Sequence, residues 1–160
     1  MKFKFTHQFA LPPGDLFHFH ENPENLALLM RNRHTFTLVS HEGSIRPSCV
    51  TTVAERFCAF RLKMAFEHYL YECPLRFGER QITGLFSKFE HVHEFTKNPD
   101  GGTTLTDLLE VRLPWWLGGE QAMKYIVAPR LREVFAYRRV ELERLIADGT
   151  IERLLSDASY

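Results

Sequence analysis

Two histidines two residues apart, with an aspartate one hairpin away, are the chain's best candidates for chemistry. In Ser87 to Thr96 the odd positions are Ser87, Phe89, His91, His93 and Phe95, and the even ones carry Lys88, Glu90 and Glu94. Successive side chains of a strand point to opposite faces, so the charges mark the outer face and the histidines point inward. In Thr103 to Leu113 the apolar set is Leu105, Leu109, Val111 and Leu113, and Asp107 shares their parity. The segment Asn98-Pro-Asp-Gly-Gly102 reads as the turn between them, with Gly supplying positive φ. A hairpin centred on Asp100 sets His93 opposite Asp107 and His91 opposite Leu109. An inward carboxylate beside an inward imidazole fixes its tautomer and is expected to raise the pKa of His93. Such a pair can act as a general base, orient a ligand, or only satisfy itself as a buried hydrogen-bonded pair.

Arg138 is the second candidate. It lies in the apolar stripe of a C-terminal helical segment, between Phe135 and Leu142. A buried guanidinium needs an acid or carbonyls. The first expectation is an ion pair holding helix to sheet, with Asp107 or Glu79 as the acid. The other is a cation at a cavity floor that receives a carboxylate or carbonyl ligand. If a turn near Leu85 joins the preceding strand, Glu79 faces His91 and Phe77 faces His93. His68 also falls on the inner parity, one step beyond Phe66. His91-x-His93 could hold Zn²⁺ with Glu79 or Asp107 as third ligand, but only the spacing supports it, and no metal or cofactor is expected. His18-x-His20 sits in a helical segment, where that spacing diverges. Trp115-Trp116 either caps the core at a helix entrance or meets a membrane or ligand mouth.

Positioning these groups takes one strand, two short helices, about six more strands and a long helix. Lys2 to Phe9 alternates with Phe3, Phe5, His7 and Phe9 on one face. Leu11-Pro-Pro-Gly14 breaks it; Asp15 then reads as a helix N-cap, and Asn22-Pro23 as cap and first turn of a second helix. Strand patterns follow at Thr35 to His41, Cys58 to His68, Leu75 to Thr83, Ser87 to Thr96 and Thr103 to Leu113. Thr51 to Phe57 is ambiguous between strand and helix. From Ala122 to Ile146 apolar residues recur every three or four positions, with Pro129 marking a kink or the true start and Gly149 a stop.

A chain of 160 residues is long enough for one full core. Its 44% apolar and 25% charged residues are those of a globular domain. Twenty basic residues against twenty acidic ones leave no electrostatic footprint for nucleic acid or an anionic membrane, so neither is an expected partner. Three cysteines, at 49, 58 and 73, form no C-x-x-C pair and no disulfide framework, which fits a reducing, cytoplasmic setting. No run approaches the ~18 apolar residues of a membrane span. Fourteen phenylalanines either overfill a core or line a cavity.

The order of elements resembles the START/birch-pollen-allergen superfamily, and within it the polyketide cyclase/dehydrase-like branch of ligand-binding domains. The resemblance rests on Phe17-x-Phe19 with Asn22-Pro-Glu-Asn-Leu26, on Pro74-x-x-Phe77-x-x-x-Gln81-x-x-Gly84-x-Phe86, and on Phe89-x-x-x-His93-x-Phe95. It continues through Asp100-Gly-Gly-Thr103-x-Leu-Thr-Asp107, Leu113-Pro114 and Phe135-Ala-Tyr-Arg138, and covers about residues 2–147. It implies an α+β helix-grip fold: a curved antiparallel sheet of about seven strands around a long C-terminal helix, with two short helices after strand 1. Residues 1–148 would form the single domain and 149–160 a tail. It also implies a hydrophobic or amphipathic small molecule held between sheet and helix. Phe60, Leu62, Met64, Phe66, Phe89, Leu109 and Phe135 are the expected apolar lining, and His91, His93, Asp107 and Arg138 the expected polar contacts. The enzymatic alternative is a cyclase or dehydratase in which His93, held by Asp107, shuttles a proton. A third class is an interaction domain whose interior is filled by its own phenylalanines.

Overall fold

A computed structural model describes residues 1–57 and 60–157. Seven strands form one antiparallel sheet in the order β1-β7-β6-β5-β4-β3-β2. They are β1 (Lys2–Phe9), β2 (Phe36–His41), β3 (Val50–Phe57), β4 (Phe60–Glu72), β5 (Arg76–Thr83), β6 (Lys88–Lys97) and β7 (Thr103–Arg112). Between β1 and β2 stand α1 (Pro13–Glu21) and α2 (Pro23–Leu29). After β7 come a 3₁₀ turn (Trp115–Leu117), the short α3 (Gly119–Ala122), a π-helical turn (Met123–Val127), α4 (Ala128–Ala147) and α5 (Thr150–Asp157). No helix among the described residues is long and apolar enough to cross a membrane.

The β6–β7 register is the feature that builds the site. His93 pairs with Asp107, His91 with Leu109 and Phe95 with Leu105. The turn fixes it: Asn98 N–H donates to Gly102 O, Gly101 N–H donates to Asn98 O, and Gly102 N–H donates to Asp100 Oδ1. Gly101 adopts φ +90°, and a Cβ at Gly102 would lie 2.5 Å from the Phe9 carbonyl oxygen, so glycines are required at both. On the other side β5 pairs Glu79 with His91 and Phe77 with His93. The β4–β5 ladder shifts register between Ala65 and Phe66 and again between His68 and Leu70. Irregularities of this kind bend a sheet, here beside its most polar inner position.

Helices cover the inner face. Phe17 of α1 meets Phe77, Phe95 and Tyr71 edge-on at ring-centroid distances of 5.3–5.8 Å. Phe135 of α4 stacks on Phe5 at 4.3 Å. Two apolar clusters result. One gathers Phe9, α1, Phe77, Phe95, Leu142 and Ile151; the other gathers Leu109, Val111, Leu113, Met123 and Phe135.

Several local expectations are corrected. The N-cap of α1 is Pro12 and Asp15 sits in the first turn, whereas Asn22 caps α2 by accepting from Glu24 N–H. Thr51 to Phe57 is strand, because its inner residues Thr51 and Val53 face the cavity described below. Cys58 lies outside the described residues. Phe60 is 73% exposed at the start of β4, and Leu109 is buried in the second cluster, so neither lines the pocket. Trp115 and Trp116 are not packed into the core: they are 83% and 68% exposed. Within the supposed tail, Thr150–Asp157 is a helix whose Ile151 is fully buried in the first cluster.

Candidate ligand pocket and buried histidine cluster

Between the sheet and α4 lies a pocket of about 370 Å³. Met64, Phe66, Phe86 and Phe89 wall it from the sheet, and Val127, Leu131, Val134 and Phe135 from the helical side. The expected aromatic lining, Phe66, Phe89 and Phe135, is therefore brought together; Phe66 and Phe89 meet edge-on at 5.3 Å. Its wall is mainly apolar, and few polar side chains interrupt it: Thr51, Glu55, Glu79, His91, Arg130 and Arg138. Size and composition match small-molecule sites, commonly ~300–1,000 Å³ with a few placed polar groups.

A second, smaller cavity of about 80 Å³ adjoins the same residues on the α1–α2 side. It is lined by His20, Thr51, His68, Glu79, His93 and Arg138 among apolar neighbours. Thr51, Glu79 and Arg138 thus border both spaces. His93 borders only the smaller one, and Asp107 borders neither.

Asp107 sits at the centre of the polar cluster, 3% exposed. Its Oδ1 accepts from His91 Nε2–H at 3.0 Å. His93 Nδ1 lies 2.7 Å from the same oxygen, but its approach lacks hydrogen-bond geometry, leaving that nitrogen without a satisfied bond. His91 Nδ1 stands 3.4 Å from Glu79 Oε1, so both its nitrogens face carboxylates. The two imidazole centroids are 3.9 Å apart. His93 also stacks on Phe77 at 4.3 Å.

This geometry divides the protons unequally. Burial opposes the charge on His91, but its bonds to Asp107 and Glu79 outweigh that and raise its pKa. Burial and the neighbouring His91 charge push His93 down to about 3, despite Asp107. The expected upward shift thus falls on His91, not His93. One carboxylate cannot stabilise two adjacent imidazolium ions, and the ring that also has Glu79 takes the proton. Burial pushes Asp107 and Glu79 up, but the imidazoles around them hold Asp107 well below its usual range and Glu79 at about 2.

Arg138 departs from its first expectation. It makes no ion pair or hydrogen bond to another described residue, and its guanidinium rests 5.3 Å from the Phe135 ring centroid. Arg130, eight residues or about 12 Å earlier on the same helix, also lines the pocket but is neutralised. It contacts Glu55 at 3.3 Å and Glu133 at 2.8 Å, and Arg33 bridges the same two acids. The spacing Arg130–Val134–Arg138 put both cations on one stripe, a signal readable in the sequence but not used for Arg130. His20 was also missed. It follows Leu16 by one helical turn on the buried face of α1, and its ring centroid lies 5.9 Å from that of His93. Its Nδ1–H donates to Leu16 O, and burial holds its pKa down at about 4. His68 does face inward, with Nε2 3.1 Å from Thr51 Oγ1.

No family model matches the chain, and no curated protein matches it. Solved structures do. Ms6760 from Mycobacterium smegmatis superposes with a TM-score of 0.72 at 17% identity, covering 92% of each chain. Ara h 8.0201 superposes at 0.65 with 12% identity, covering 92% of this chain and 98% of that one. PFC0360w, an HSP90 activator from Plasmodium falciparum, reaches 0.53 at 17% identity over 71% of this chain and 74% of its own. At such identities the likeness concerns architecture alone, and what it establishes is that this chain has a helix-grip fold.

Proposed function

We propose that this protein binds an amphipathic small molecule, its apolar body in the pocket and an acidic or carbonyl group on Arg138. The observation that carries this reading is the contrast between the two pocket arginines. Arg130 is held by two acids, whereas Arg138 borders both cavities with no acid partner among the described residues. A half-buried guanidinium is costly without an anionic or carbonyl partner, and its planar fork matches a carboxylate in two hydrogen bonds. A space of about 370 Å³ also argues against an interior filled by the protein's own phenylalanines.

The proton-shuttle alternative is weakened by the same geometry. His93 does not border the main pocket and is held neutral far below physiological pH. His91 borders it, but both its nitrogens face carboxylates, so neither is free to exchange a proton with a substrate. Native mass spectrometry of the freshly purified chain tests the binding reading. The expected spectrum carries an added small-molecule mass that organic extraction removes and a neutral apolar dye, N-phenyl-naphthylamine, replaces. A bare chain that also fails to take up the dye would contradict it.

A further inference from the structure

We infer that Glu79, His91 and His93 form a binding site for one divalent transition-metal ion, with Asp107 behind them, bonded to His91 and in contact with His93. Each of the three offers one ligand atom, and these atoms lie within 4.8 Å of one another. Adjacent strands bring them together: β5 supplies Glu79 opposite His91, and His93 follows on the same inner face of β6.

The distances suit a metal better than they suit hydrogen bonds. His91 Nδ1 and Glu79 Oε1 are 3.4 Å apart, long for a charge-assisted hydrogen bond of ~2.7–2.9 Å. Two ligands bound at ~2.0–2.1 Å in tetrahedral geometry stand about 3.4 Å apart. The three donor atoms already lie within 4.8 Å of one another, so the remaining adjustment is small. Asp107 then has the role that carboxylates take behind metal-bound histidines. It accepts from His91 Nε2–H, which leaves Nδ1 as the lone pair beside Glu79. It also lies 2.7 Å from His93 Nδ1, which leaves Nε2 as that ring's other donor atom.

The small cavity provides what a three-ligand site needs, an open position. Three buried histidine nitrogens around the cluster have no hydrogen-bond partner: His93 Nδ1, His20 Nε2 and His68 Nδ1. His20 and His68 border the same 80 Å³ space as Glu79 and His93. Since His20 Nδ1–H is committed to Leu16 O, its Nε2 is an acceptor, suited to a metal-bound water. Imidazole and carboxylate together select ions such as Zn²⁺, Co²⁺ or Fe²⁺ over Mg²⁺ or Ca²⁺. Metal binding takes both imidazoles in their neutral form.

The test titrates the full metal-free chain with Co²⁺ and follows its visible absorption, then displaces it with Zn²⁺ and counts bound zinc by elemental analysis. One equivalent per chain is expected, with absorption bands of four- or five-coordinate Co²⁺. Glu79→Gln and His93→Gln should each weaken binding at least as much as loss of an orienting partner does, about 10–100-fold. Asp107→Asn should weaken it within that range. His18→Gln, on the exposed side of α1 and away from the cavity, should keep the one-to-one stoichiometry. Circular dichroism of each variant without metal separates a lost ligand from a lost fold. A chain that retains no metal, or one whose affinity is the same in folded Glu79→Gln and His93→Gln, would overturn the site. Either failure leaves the small-molecule reading standing, because Arg138 is not among the ligands.

Discussion

Asp107 is paired with His93 across the backbone ladder, yet its hydrogen bond goes to His91, the diagonal neighbour two residues away. On a twisted sheet the diagonal partner is within reach of a short side chain, and Glu79 on the far side anchors His91 in place. The carboxylate therefore hydrogen-bonds one imidazole and only touches the other, which stays neutral. The cluster is buried, whereas Arg138 borders the main pocket and makes no ion pair with a described residue.

Removing the charge at its centre should cost stability. Asp107→Asn keeps the shape but withdraws the anion from two rings that are each 3% exposed. A loss of about 1–3 kcal/mol is expected, the range for leaving buried partners poorly satisfied. Urea denaturation followed by circular dichroism checks it; an unchanged midpoint would show that His91 and Glu79 suffice alone.

Acid should destabilise the fold as pH falls below about 6.5. His20 has a folded pKa of about 4 against 6.5 in the unfolded chain. Burial comes first among the causes, then Arg138 and His91, with Asp107 and the Leu16 carbonyl opposing. Between these values the unfolded state binds the proton and the folded state does not. Its contribution is complete above pH 6.5 and is lost as pH falls toward 4. His93 acts in the same direction down to about 3, while the raised pKa of His91 acts in the opposite one. The melting temperature should fall from pH 7 to pH 5, and His20→Gln should flatten that slope. An identical slope in the variant would remove His20 from this role.

Filling the pocket should block binding without harming the fold. Phe89 lies on the sheet wall, edge-on to Phe66 and 5.3 Å from the Phe86 ring. Phe89→Trp adds volume toward the space, so affinity for N-phenyl-naphthylamine should drop severalfold while the melting temperature holds within a few degrees. Unchanged dye affinity would place the dye elsewhere.

Much of this was legible in the chain because alternation and one turn determine it. The glycines of Asn98–Gly102 set the hairpin, and with it the opposition of His93 to Asp107 and the inward parity of His91. What parity cannot give is a rotamer. Which histidine Asp107 would bond, and hence which would carry the proton, depended on side-chain directions and on Glu79 as a competing anion. Arg138 falls on the inner face as its spacing indicates, but its lack of a partner among the described residues is a fact of three-dimensional spacing. Phe60 sits at the end of its strand, where alternation no longer forces a residue onto covered surface. The Ile151–Leu154–Leu155 spacing of α5 was a readable helical signal passed over because Gly149 marked a stop.

The most direct test of the ligand reading compares an acid with its uncharged twin. Decanoate and decanol share an apolar chain and differ in the group that Arg138 would meet. Each is used to displace N-phenyl-naphthylamine from the wild-type chain and from Arg138→Met. The expected result is that decanoate binds the wild type more tightly than decanol by about tenfold to a hundredfold, the worth of a hydrogen bond to a charged group at ~1.5–3 kcal/mol. In Arg138→Met that preference should vanish while decanol affinity stays the same. Equal affinities in the wild type, or a preference for decanoate that survives Arg138→Met, would contradict the assignment of Arg138 as the head-group site.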